Sequence, residues 1–132
     1  MRDHEKLEAY RLADDLVLAI YRATKAFPAD ERFGLTSQLR RAAVSVVSNI
    51  VEGSARPGHA EYVHLLSMAY GSAKEVQYQI SLSARLGYLR DAVSRDLVHR
   101  ASRTAMVLSA LISALRAVPP SGGGRSPVAG SR

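Results

Sequence analysis

A chain of 132 residues with no cysteine and 47% hydrophobic residues is one domain's worth of sequence, long enough to bury a core without disulfides or a thiolate-held metal. Its 18 Lys and Arg against 12 Asp and Glu give a net charge of +6, which favours anionic partners. The opening MRDHEKLEAY is charged, and no apolar run approaches the roughly 18 residues of a spanning helix, so the expectation is a soluble, cytoplasmic protein with no secretory leader and no membrane partner.

Helical periodicity recurs in four segments, and strand alternation in none. In the first, Ala9, Ala13, Leu16, Ile20, Ala23 and Phe27 step by three and four, which places them on one face of a helix. Pro28 stops that helix, because the residue before a proline is pushed out of the α region. After the polar connection from Ala29 to Gly34, a second helix carries Leu35, Leu39, Ala42, Val46 and Ile50 and is expected to end near Gly53. Arg56-Pro57-Gly58 makes the next break. The third helix, from about His59 to Leu86, has the stripe Tyr62, Leu66, Ala69, Ala73, Val76 and Ile80, with Gly87 as its C-terminal cap. The fourth runs from about Asp91, read as an N-cap, to Val118, with Leu97, Ala101, Thr104, Leu108, Leu111 and Leu115.

Short connections between long helices force antiparallel neighbours, so the expected fold is all-α, an up-down-up-down four-helix bundle over residues 1–118. The remainder, PPSGGGRSPVAGSR, has almost nothing to bury and reads as a disordered tail over 119–132. Two helices carry further apolar residues: Tyr10, Val17 and Tyr21 on the first, and Val98, Ala105 and Ile112 at seven-residue spacing on the fourth. A second apolar face is expected to be covered by another copy of the chain, the alternative being a broad core-facing surface.

The second helix also holds a polar stripe, Gln38, Arg41, Ser45, Asn49 and Glu52, flanked by Ser48. Gly71, Ser72 and Glu75 interrupt the apolar pattern of the third, and a mid-helix glycine, costing about 1 kcal/mol against alanine, points to a close approach there. The favoured reading is an interhelical network of Gln38, Arg41, Ser45, Asn49, Glu52 and Glu75, with Arg41 pairing a carboxylate and Asn49 fixing register. A small-molecule site in the same stripe is the weaker alternative.

The run Gly34-Leu35-Thr36-Ser37-Gln38-Leu39-Arg40-Arg41-Ala42-Ala43-Val44-Ser45, continuing through Ser48-Asn49-Ile50 to Glu52-Gly53, resembles the signature of the bacterial four-helix bundle proteins, also called 23S rRNA intervening-sequence proteins. Ala69-Tyr70-Gly71-Ser72 with Glu75, and Leu86-Gly87-Tyr88-Leu89, resemble that family's third helix and its end, so the likeness spans roughly residues 5–117. Tyr70, where the pattern has a smaller aliphatic residue, and the Gly/Ser-rich tail depart from it. The resemblance implies an antiparallel bundle assembling as a homopentamer. It also implies a loose relation to nucleic acid, since members are encoded within rRNA insertions and a related bundle is an accessory subunit of reverse transcriptases in retroelements.

Catalytic motifs are not found. His59 and His64 stand five apart, off the i, i+4 spacing of a helical ligand pair, and the acid pairs Asp14-Asp15 and Asp30-Glu31 read as a solvated face and a turn. The triple glycine at 122–124 lacks the flanking strand and helix of a phosphate cradle. No metal, cofactor or enzymatic activity is expected. The basic character lies late in the chain, where residues 90–118 carry five Arg against Asp91 and Asp96. Arg90, Arg95, Arg100 and Arg103, with His99 and with Arg40 of the second helix, are the candidate contacts for RNA or DNA, read through phosphates with little sequence preference. Against this stands the absence of an aromatic on the fourth helix to stack on bases. The expected function is therefore a non-enzymatic oligomeric scaffold that binds nucleic acid or accompanies a nucleic-acid enzyme. The alternative is a protein–protein scaffold.

Overall fold

The structure is a computed structural model that describes residues 2–118, so the expected disordered tail at 119–132 lies outside the described residues. Four helices form: α1 (Glu8–Thr24), α2 (Leu35–Ala55), α3 (His59–Arg85) and α4 (Asp91–Arg116), with 3-10 turns at His4–Lys6 and Ala29–Glu31. Among the described residues there is no strand.

The helix ends show local chemistry at work. In α1 the buried Thr24 closes the helix, its hydroxyl donating to the Ile20 carbonyl at 2.8 Å. Phe27 falls beyond the helix, yet folds back to 8% exposure in the core. The apolar stripe of α1 thus runs through Thr24, with Ala23 only half-buried. Gly34, the N-cap of α2, has no side chain to cap with, and Glu31 serves instead. Its Oε1 accepts the Leu35 N–H at 3.0 Å and its Oε2 accepts the Tyr88 hydroxyl at 2.9 Å. Those bonds, the backbone one foremost, hold the Glu31 carboxyl below its ordinary range. The hydrogen bond to Glu31, more than burial, pushes the Tyr88 phenol up.

At the end of α3, Gly87 takes a positive φ of 82°, which a side chain would resist. The Gly87 N–H then reaches the Ala84 carbonyl at 3.0 Å and the Tyr88 N–H reaches Ser83 at 2.9 Å, a Schellman closure. The N-cap of α4 is Arg90 rather than the expected Asp91, and it makes no side-chain cap bond. Asp91 is the first helical residue, where its charge suits the positive end of the helix dipole.

Around the bundle, α1 packs on α2 and α4, and α3 packs on the same two helices. One core cluster joins Leu16 and Ile20 of α1 with Leu39 of α2, Ile80 of α3 and Leu97 of α4. A second joins Ala13, Ile50, Leu66 and Leu108 toward the other end. Late residues of α1 and α3 thus meet early residues of α2 and α4, the antiparallel up-down-up-down order.

The two extra apolar stripes belong largely to this core. Ala105 and Ile112 are buried, Tyr10 and Val17 pack half-buried against the clusters, and Tyr21 lies under the Arg40 guanidinium of α2, 4.6 Å from its ring centre. A helix with two neighbours covers both flanks of its apolar face, so the broad surface, not a second face, explains most of the pattern. Two residues stay exposed, Val98 at 47% and Tyr21, despite its arginine cover, at 40%. The glycines also divide. A Cβ on Gly53 would meet the Leu65 Cβ at 3.1 Å, so Gly53 lets α2 approach α3 closely. A Cβ on Gly71 would meet nothing within 4 Å, which corrects the expected close approach there.

Candidate nucleic-acid interface

The basic residues of α4 have different surroundings. Arg90 and Arg95 are exposed, and neither belongs to an ion pair among the described residues. Arg100 donates to Asp96 on its own helix at 2.9 Å, and Arg103 reaches across to Glu8 of α1 at 3.0 Å. Both pairs are exposed to solvent, where such contacts are weak and easily exchanged for another anion. His99 is also exposed. Arg40 sits apart from this group, at the α1–α2 seam. There it donates to the Thr24 hydroxyl at 2.8 Å and the Tyr21 carbonyl at 3.4 Å, which makes it a fastening of α1 more than a free cation.

The fold adds a residue that sequence reasoning missed. Arg22, late in α1, lines a groove of about 440 Å³ together with Arg90, Arg100 and Asp96 from the start of α4. Ala19, Ala23, Val93 and Leu97 make the groove apolar, and Tyr88 is part of its wall. The signal available in the sequence was indirect: antiparallel order places the last turn of α1 beside the first turn of α4.

The polar stripe of α2 is only partly a network. Ser45 and Ser72 bond across the α2–α3 seam at 2.9 Å, and the Asn49 amide donates to the Ser45 carbonyl at 2.9 Å and hydroxyl at 3.1 Å. Gln38, Arg41, Glu52 and Glu75 are exposed. Glu52 pairs with Arg56 at 2.6 Å, and Arg41 joins no ion pair among the described residues. The expected Arg41–carboxylate pair is absent because Arg41 points out of the seam.

A second groove, of about 450 Å³, lies between the start of α3 and the end of α4 and includes His59, His64, Ser67 and Arg116. The His59 Nε2 stands 3.0 Å from the Leu115 carbonyl, so it donates there and caps the end of α4. Among the described residues no group of three or more His, Cys, Asp or Glu could hold a metal ion. None of the helices is long and apolar enough to cross a membrane.

Residues 5–110 match the family model described as 23S rRNA-intervening sequence protein. The crystal structure at 1.70 Å of a protein with unknown function from the S23 ribosomal protein family, from Bacteroides thetaiotaomicron, is similar with a TM-score of 0.71. At 19% identity, over 79% of this chain and 97% of that one, the likeness concerns the fold. No curated protein matches the chain.

Proposed function

The chain belongs to the 23S rRNA-intervening sequence protein family, and from that premise we propose that it is a non-enzymatic, cytoplasmic, homo-oligomeric scaffold that binds RNA or DNA with little sequence preference. The observation that carries this reading is the exposed, unpaired state of Arg90 and Arg95 at the start of α4, with Arg22 and Arg100 sharing a groove with Arg90. Cations held by a rigid bundle meet phosphates without first breaking strong internal pairs, and such contacts carry no sequence information. Repetition of the face around an oligomer would multiply weak contacts by avidity. The family's own description ties its members to 23S rRNA, which favours RNA as the first probe.

The test is titration of fluorescent RNA and DNA at about 50 mM and about 200 mM salt, alongside light scattering. Affinity that collapses at the higher salt, on an oligomer, supports the proposal; indifference to nucleic acid at both salts sinks it. The competing reading, a protein–protein scaffold, is favoured by one observation. Phe33, just before α2, is 87% exposed and Leu86, just after α3, is 50% exposed, and both lie at the same end of the bundle. That reading predicts a partner, including a reverse transcriptase, whose binding ignores salt.

A further inference from the structure

We propose that the groove between the end of α1 and the start of α4 seats one unpaired nucleotide of the bound strand, its phosphate among Arg22, Arg90 and Arg100 and its base on the apolar floor. The proposal rests on the nucleic-acid reading above and names what that surface recognises. Its basis is a conjunction of charge and apolar surface in one concavity. Three arginines against one carboxylate, Asp96, leave the groove net cationic. A bare anion needs no apolar lining, yet Ala19, Ala23, Val93 and Leu97 supply one. The volume of about 440 Å³ falls within the ~300–1,000 Å³ usual for small organic ligands. Phosphate joined to a flat apolar ring is the chemistry that uses both halves.

The wall supplies what α4 itself lacks. Tyr88, from the connection before α4, lines the groove, and its ring is already fixed. Its hydroxyl donates to Glu31 at 2.9 Å, and Phe27 packs behind it with ring centres 5.4 Å apart. A ring held in place loses little freedom on stacking, so the contact is preorganised. On the α1 side the groove is lined by the small residues Ala19, Ala23 and Ala26, which leave open the space a base would fill. Asp96 opposes a phosphate while holding Arg100, and that pair is exposed, so an incoming phosphate can share the guanidinium.

The experiment measures binding of a fluorescein-labelled single-stranded poly(U) and of a blunt RNA duplex by the full chain and its variants at low salt. Ala23→Trp fills the floor and leaves every charge in place. Arg22→Gln removes one cation without adding bulk, so it keeps the test alive if the tryptophan disturbs the fold. The expected result is a loss of single-strand affinity of about tenfold for Ala23→Trp, the usual weight of one stacked base, with its duplex binding unchanged, and a severalfold loss for Arg22→Gln, which removes one phosphate contact. Asp96→Asn should strengthen single-strand binding severalfold. Uridine monophosphate should displace the strand at concentrations where inorganic phosphate does not. Equal displacement by the two reduces the groove to a free-anion site and overturns the proposal. It is also overturned if Ala23→Trp and Arg22→Gln bind the single strand like the parent chain while Arg95→Glu weakens it, which leaves the nucleic-acid reading standing. If the parent chain binds neither probe, both fail together.

Discussion

Glu31 joins two parts of the bundle with one carboxylate, capping α2 through Leu35 and tying down Tyr88 before α4. Its folded pKa is depressed, so it contributes stability above the pH at which an unfolded glutamate titrates. That contribution is lost as the pH falls through the lower, folded value. Thermal melts across the acid range should therefore show Glu31→Ala less stable than the parent near neutrality and the two converging as the carboxyl protonates; parallel curves would deny the role. In the sequence Asp30-Glu31 reads as a polar turn, because nothing local says that Tyr88, 57 positions on, returns to it. The positions of Arg90 and Arg95 were likewise legible as residues, but the pairing of Arg100 and Arg103 and the tethering of Arg40 depended on neighbours from elsewhere in the chain.

At the scale of elements, two glycines in regular helix separate propensity from packing. Gly71 is exposed with free space around its missing Cβ, so Gly71→Ala should raise stability by up to about 1 kcal/mol in urea denaturation. Gly53 faces Leu65 and Tyr62 across the α2–α3 seam, with 3.1 Å from its virtual Cβ to the Leu65 Cβ. There the same substitution should cost about 1 kcal/mol or more, strain outweighing the gain in helix propensity. Opposite signs would show that the seam, not the helix, selects Gly53. Periodicity located all four helices, and the stripes it named on α2 and α3 are buried, whereas on α4 Leu111 and Leu115 are half-buried and Ala105 and Ile112 take core places. It misplaced ends, as at Phe27 and Asp91, because closure of a helix depends on hydrogen-bond partners outside its own repeat.

For the molecule as a whole, charge asymmetry sets the expected behaviour. Salt titration of single-strand binding should give a log–log slope of about −0.7 per phosphate contact, and Arg90→Glu with Arg95→Glu should flatten it. An unchanged slope would move the interface off this face of α4. The amino-acid sequence by itself determined the fold class, the four helices and the late concentration of arginine, because these depend on spacing and composition along one chain. Only the tertiary structure decided that the second apolar stripes are mostly core and that Arg41 faces outward. It alone brought Arg22 and Tyr88 to the start of α4, around an apolar groove. The physical reason is that a periodic pattern says which side of a helix avoids water, whereas a binding surface depends on which helix stands next to it and at what height.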